Sequence, residues 1–373
     1  MPGIYVHFPF CKQKCIYCNF YSVTSLKLKD DYWNALCKEI ELRKNYLEGK
    51  QIDTLYFGGG TPSLASPAEL EKIINHLAKF HPLAHNLEFT LEANPEQLSI
   101  PYLKDLKSLG INRLSIGVQS FNDDILHLLN RQHSAADATT AVQNAASAGF
   151  DNLSIDLIYD IAFRSAQLWK RDLLTAVNLP ISHLSCYSLT VEENTLLAHR
   201  IRKGQRFLPE DADSDRDSMI LSEITQNAGF QQYEISNFAK NGKISRHNFA
   251  YWCNEPYLGL GTAAHSFLPP TRQWNVANIL SYINGVSNEK PITEMETLSN
   301  EQQYDEYILL RLRTCLGVNL NEISSLFGKR FLSHLKNQLL HVNPAHYLLQ
   351  NNTLRLTPAG RLFADAIAQT LFW

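Results

Sequence analysis

The chain has 373 residues, 45% hydrophobic and 19% charged, enough for two or three domains with packed cores and incompatible with a disordered, fibrous or disulfide-stapled mini-protein. Lysine plus arginine total 34 against 37 aspartate plus glutamate, a formal net charge of −3, which offers no electrostatic footprint for nucleic acid or an anionic membrane. No apolar run reaches the ~20 residues needed to span a bilayer, and the first residues lack the charged-then-apolar order of a secretory signal, so a cytoplasmic location is expected.

The first β-type run, Gly3–Phe8, leads directly into Cys11, Cys15 and Cys18. Trp33, Leu36, Cys37 and Ile40 then fall at i, i+3, i+4 and i+7, the stripe of an amphipathic helix. Residues 53–57 read as a second strand. Ser66, Pro67 and Glu69 form a capping box ahead of the buried stripe Leu70, Ile73, Ile74 and Leu77. Further strands are expected at 87–91, 113–118, 153–158 and 183–189, with helices at 101–109 and 135–148 closed by Gly110 and Gly149. Six successive strand-helix units imply parallel strands joined by right-handed crossovers, hence an α/β fold forming a partial (β/α)6 barrel over residues 1–200. Loops after the strands would share one face, where such folds place their sites.

After about residue 200 the alternation fades. Residues 231–267, rich in aromatics, Asn and Gly, read as irregular strands lying against the barrel mouth, within a connecting region 201–296. Over 297–373 the pattern changes to a helix capped by Ser299, two short helices up to His341, a hairpin turning at Asn351-Asn352, and a last helix opened by Thr357-Pro358. That order predicts a mainly helical, winged-helix-like C-terminal domain. Its basic residues exceed its acidic ones by only two, too few to favour DNA binding.

The seven cysteines are an odd number. The crowding of three into Cys11-x3-Cys15-x2-Cys18 points to metal or redox chemistry rather than a disulfide framework. Cys37 and Cys186 read as buried small apolar residues. Three thiolates on one tight loop suit a four-iron cluster with one iron open to a ligand, whereas a structural zinc on the three cysteines and His7 would use the same donors. Tyr5, Phe8, Pro9, Phe10, Tyr17, Phe20 and Tyr21 would shield the loop from solvent. Gly58, Gly59 and Gly60 end the second strand and let backbone approach a ligand, with the Thr61 hydroxyl beside them. Glu92, Gln119 and Asp156 sit at or just past strand ends, as pocket-lining groups or as ordinary loop polarity. Arg131 is a carboxylate partner or a surface cation.

The run Tyr5-Val-His-Phe-Pro-Phe-Cys11-Lys-Gln-Lys-Cys15-Ile-Tyr-Cys18 resembles the radical S-adenosylmethionine signature of the branch holding the coproporphyrinogen dehydrogenases and the HemW heme chaperones. The resemblance continues through Gly58-Gly-Gly-Thr-Pro62, Leu91-Glu-Ala-Asn-Pro95, Ser115-Ile-Gly-Val-Gln119, Asn130-Arg131 and Ile155-Asp-Leu-Ile-Tyr159, nearly the whole chain. It implies a radical SAM barrel with a 4Fe-4S cluster on Cys11, Cys15 and Cys18, whose open iron binds the amino and carboxylate groups of S-adenosylmethionine. Tyr5, Tyr17, Gly59, Gly60, Thr61, Glu92, Gln119, Arg131 and Asp156 are the implied neighbours of that cofactor. An electron donor such as a flavodoxin is implied as well.

Two features separate the branches. The dehydrogenases carry a further cysteine two residues after the third, where this chain has Phe20, and a sizeable leading segment, whereas ten residues precede Cys11 here. His247-Asn-Phe-Ala-Tyr251-Trp252 matches the HNxxYW motif of the heme chaperones, and Tyr257-Leu-Gly-Leu-Gly261 and Ala264-His265-Ser266 also resemble that branch. The resemblance thus implies a chaperone that binds heme and passes it to heme-accepting proteins. His247 is the implied iron ligand, Tyr251 and Trp252 lie against the macrocycle, and Cys253 is the competing ligand. A coproporphyrinogen dehydrogenase and a zinc-stabilised interaction protein with a vestigial barrel remain as alternatives, and no catalytic residue is assigned. One departure stands out: Asp160-Ile-Ala-Phe-Arg164 replaces the Gly-Leu-Pro-Gly-like residues common in the family, so the turn after Tyr159 is expected to be reshaped.

Overall fold

A computed structural model describes residues 1–162, 164–291 and 293–373. All six expected strand-helix units form. They run β1 (Gly3–Phe8), α1 (Lys29–Leu42), β2 (Ile52–Gly59), α2 (Pro67–Phe80), β3 (Leu83–Ala93), α3 (Ile100–Ser108), β4 (Arg113–Gln119), α4 (Asp123–Leu128), α5 (Ala135–Ser147), β5 (Leu153–Tyr159), α6 (Ala166–Asn178) and β6 (His183–Ser188). Strands β1 to β6 are parallel neighbours in chain order. The helices start where short polar side chains supply the missing acceptors: Ser66 and Ser134 make capping boxes with Glu69 and Asp137, and Ser99 and Ser165 cap α3 and α6. Gly110 and Gly149, at φ 87° and 90°, turn the chain out of α3 and α5 into the next strand.

The sheet is larger than the barrel and does not close. Beyond α7 (Leu196–Arg202) and α8 (Asp211–Asn227), the short strands β7 (Gln231–Gln232) and β8 (Asn237–Ala239) continue it, β8 antiparallel to β6 and β7 antiparallel to β8. After α9 (Arg246–Trp252), β9 (Tyr257–Leu260) pairs parallel to β1 at the other side. Strands β10 (His265–Leu268) and β11 (Thr271–Asn275), the helix α10 (Ile279–Ser287), and β12 (Thr293–Thr297) complete a twelve-strand sheet ordered β12-β11-β10-β9-β1-β2-β3-β4-β5-β6-β8-β7. Region 201–296 therefore extends both edges of the barrel sheet.

Its position corrects one expectation. The 231–267 stretch does not lie against the mouth, because α9 packs at the opposite end: the backbone N–H groups of Arg246 and His247 both donate to the Glu88 carboxylate, level with Thr54 near the start of β2. Strands of two to five residues paired across long sequence separations leave no local periodicity to show where they pack.

A second core belongs to α11 (Asn300–Leu312), β13 (Val318–Asn319), α12 (Leu320–Leu326), α13 (Lys329–Gln338), β14 (Tyr347–Gln350), β15 (Thr353–Leu356), α14 (Pro358–Arg361) and α15 (Ala364–Leu371). It is built on Tyr304, Ile308, Ile323, Leu335, Leu354 and Leu371. The hairpin turns through Asn351 and Asn352 at φ 50° and 58°, as a two-residue connection between twisted strands requires. The main core is made by the outward faces of the barrel strands, such as Ile4, Val6 and Phe8 against Trp33, Leu36 and Ile40. Their inward faces are polar.

Candidate functional site

The cysteine loop is fixed by main-chain bonds before any ligand is considered. Cys11 N donates to Val23 O at 3.0 Å, Cys18 N to Cys15 O at 3.3 Å and Ile16 N to Leu129 O at 3.4 Å. The Asn130 side-chain amide reaches Lys14 O at 2.9 Å. The thiols of Cys11, Cys15 and Cys18 are free and line one cavity of about 460 Å³ at the C-terminal ends of the strands. Tyr17, Gly59, Gly60, Thr61 and Glu92 line the same cavity, as do Gln119, Arg131 and Asp156. Tyr5 sits one level lower, inside the barrel, with its hydroxyl 3.1 Å from His7 Nδ1.

Each side chain has an identifiable support. Thr61 Oγ1 donates to Cys11 Sγ at 3.5 Å and Arg131 Nη1 to Cys15 Sγ at 3.2 Å. Burial pushes the Cys11 and Cys18 thiols up, so a bound metal is what would draw them into the thiolate form. Arg131 is no surface cation: Nη2 donates to Asn94 Oδ1 at 2.7 Å and Gly117 O at 2.8 Å, and its buried Nε has no acceptor. A Cβ on Gly60 would come within 2.7 Å of the carbonyl oxygens of both Phe8 and Phe10, so that position admits only glycine. Glu92 accepts from Tyr56 Oη at 2.7 Å and Gly59 N at 3.0 Å. Burial pushes this carboxyl up to about 7, against those bonds. Asp156 accepts from Ser115 Oγ at 3.3 Å and is also pushed up by burial.

The zinc arrangement does not fit. Both His7 ring nitrogens are engaged, by Tyr5 Oη and by Tyr21 O at 2.9 Å. Among the described residues no three His, Cys, Asp or Glu side chains converge on a single ion. A four-iron cluster gives each thiolate its own iron and needs no such convergence.

The turn after Tyr159 holds a buried cation. Asp160 adopts φ 59° and accepts from Ser188 Oγ at 2.6 Å. Arg164 Nη1 donates to Ile158 O at 2.8 Å, its guanidinium lies 4.3 Å from the Trp169 ring centroid, and the Asp172 and Asp217 carboxylates stand 3.9 Å away. Asp156 still lines the cavity; Phe163 lies outside the described residues.

His247, like Tyr5 against which it stacks, lies outside the cavity lining. Its Nδ1 lies 2.8 Å from Thr54 Oγ1 and its Nε2 2.7 Å from Tyr251 Oη. The ring is buried, stacks on Tyr56 with centroids 5.0 Å apart, and is lowered by burial to about 3. Both ring nitrogens are thus engaged within the chain, and the imidazole sits at the barrel floor, carried inward by α9. Cys253, by contrast, is half-buried at the end of α9, with Sγ 3.8 Å from Arg311 Nη1. Sequence reasoning missed Asn94, Arg113 and Tyr56; alternation with Ser115 on β4 was the available signal that Arg113 points inward.

Residues 5–161 match the Radical SAM superfamily and residues 298–363 match the HemN C-terminal domain. The heme chaperone HemW of Bacillus subtilis (strain 168) is 34% identical over 98% of this chain and 98% of its own length. Its namesake in Lactococcus lactis subsp. lactis (strain IL1403) is 36% identical over 88% of this chain and 85% of its own length. The structure of coproporphyrinogen III oxidase (HemN) from Escherichia coli aligns at a TM-score of 0.86 and 21% identity, covering 100% of this chain and 90% of that one, a likeness of fold.

Proposed function

Because the chain belongs to the HemW family of heme chaperones, we propose that it binds heme and passes it to heme-accepting proteins. In this reading it carries a 4Fe-4S cluster on Cys11, Cys15 and Cys18 and S-adenosylmethionine beside it. The observation that carries the cofactor reading is the single cavity that gathers three free thiols, the glycine-lined edge of β2 and the carboxylates of Glu92 and Asp156. S-adenosylmethionine, when bound, would supply a sulfonium open to reductive cleavage, with electrons from a donor such as a flavodoxin. The chain's own part is to hold and orient. Gly59 and Gly60 admit the ligand against bare backbone, Glu92 and Asp156 receive its ammonium or hydroxyl groups, and Arg131 braces Cys15. A cytoplasmic location belongs to the same proposal; among the described residues no helix is long and apolar enough to cross a membrane.

Coproporphyrinogen oxidation is the competing activity, and the shared fold does not separate the two. Phe20 favours the chaperone reading: this apolar, 61% exposed ring stands at the cavity where the dehydrogenases have a fourth cysteine. For heme, the motif supplies two ligands of unequal access. Ligation by His247 must break its contacts to Thr54 and Tyr251 and open the floor, whereas the Cys253 thiol needs no core rearrangement. We assign ligation to Cys253 on that ground. Anaerobically reconstituted protein is expected to show cluster and heme spectra without converting coproporphyrinogen; sustained turnover to protoporphyrinogen would reverse the ranking. Loss of the heme spectrum in H247A but not in C253S would return the ligand role to His247.

A further inference from the structure

Barrel interiors are ordinarily filled by branched apolar side chains, yet here Tyr5, Tyr56, Thr90 and Arg113 stand in register across β1 to β4. Arg113 is 1% exposed and ranks among the largest fully buried side chains. Its Nε and Nη1 meet no acceptor, nor does the hydroxyl of its register partner Thr90 find a bond, and among the described residues it forms no ion pair. A guanidinium does not deprotonate in a protein. The barrel centre therefore holds a permanent positive charge with no carboxylate against it. Two residues further along the strands, Glu92 and Ser115 form the next register pair, and Glu92 and Asp156 line the cavity above.

We propose that Arg113 is a positioning residue of this cavity: a fixed countercharge that holds Glu92 and Asp156 as carboxylates, so that together they receive a cationic, hydroxyl-bearing nucleoside. The inference rests on S-adenosylmethionine occupying the cavity. Burial drives both carboxyls toward the neutral form, and each carboxylate opposes the ionisation of the other; Arg113 acts against both effects. The other groups facing Glu92 are Tyr5, Tyr56 and Tyr251, whose hydroxyls burial keeps neutral, and the Gly59 N–H. Asp156 is faced by Ser115, Ser185, Tyr187 and Cys186, and by Arg131, which is committed to Cys15, Asn94 and Gly117. His183, from β6, faces Arg113 and is kept neutral by burial. Arg113 is thus the cation beneath the pair that no other group has claimed.

The test compares wild type, R113K and R113M with the cluster reconstituted. Infrared titration follows the carboxyl C=O stretch, assigned with E92Q and D156N, while anaerobic equilibrium dialysis measures S-adenosylmethionine affinity at pH 7 and pH 9. In R113M the Glu92 midpoint is expected to rise by about one pH unit and affinity at pH 7 to fall about fivefold, recovering at pH 9, as a one-unit shift from a midpoint near 7 dictates. R113K should restore both. If R113M does not fold, R113M/D156N against D156N alone carries the same comparison for Glu92. An unmoved midpoint with normal binding overturns the countercharge role. A moved midpoint in a protein that binds no S-adenosylmethionine at either pH supports the countercharge and refutes the cofactor reading.

Discussion

Glu92 and His7 are buried ionisable groups with opposite effects on stability. Glu92 is raised by burial from 4.5 to about 7, so its ionisation is unfavourable in the fold, and stability falls as pH rises across that window. His7 is lowered by burial from 6.5 to about 4, so its contribution is complete above 6.5 and is lost as pH falls toward 4. Each effect is on the order of 3 kcal/mol, and between 4.5 and 6.5 they oppose each other. Ligand-free E92Q is therefore expected to be about 2 kcal/mol more stable than wild type at pH 8, and to show a steeper rise of stability from pH 4.5 to 6.5. Urea midpoints against pH check both, and equal slopes would refute the opposition. The carboxylate is kept at a cost to the fold, as functional groups often are. Cys18→Ala should abolish the cluster; unchanged iron and sulfide content would refute that assignment. The cysteine trio was legible because its spacing is local. The state of His247 was not, since Thr54 and Glu88 reach it from distant strands.

At the scale of elements, the end of β2 leaves no room for a side chain at its glycines. Gly60 N and Thr61 N donate to Phe8 O and Phe10 O at 2.7 and 2.8 Å, which ties the glycine run to the strand that carries the cysteine loop. G60A sets a Cβ against those same oxygens and is expected to cost about 2 kcal/mol and to lower cluster occupancy. G110A is the control: nothing lies near its Cβ, and its φ of 87° should cost about 1 kcal/mol with the cluster intact. Equal cluster loss in both would show a general folding defect instead. Several barrel helices were readable because local signals mark their ends: Ser66, Ser99, Ser134 and Ser165 open α2, α3, α5 and α6, and Gly110 and Gly149 follow α3 and α5. The edge strands β7 to β12 were not, because their pairing is set by partners elsewhere in the sheet. The buried Asp172 and Asp217 neighbours of Arg164 come from α6 and α8 and left no local trace.

The core of the C-terminal elements is separate from the two clusters of the barrel and meets that part of the chain across a seam with several polar contacts. Arg272 meets Glu306 at 2.7 Å, Cys315 N donates to Tyr233 O at 2.9 Å, and Glu234 bridges to Thr314. Such a junction transmits little cooperativity. Calorimetry of the full chain is expected to resolve two transitions, with R272A lowering only the one in which α11 loses its protection against hydrogen exchange. A single unchanged transition would show the cores to be one folding unit.

The imidazole seated under β1 to β3 turns the cavity into a blind well. The exposed rings of Phe20 and Tyr187 stand at the doorway on the other side. What enters first leaves last, so a molecule covering that doorway would trap the nucleoside beneath it. On the proposed ligation by Cys253, which lies outside the cavity lining, release of labelled S-adenosylmethionine should proceed at the same rate with and without heme. A marked slowing would move the porphyrin to the doorway and make unloading of heme the gate for cofactor exchange.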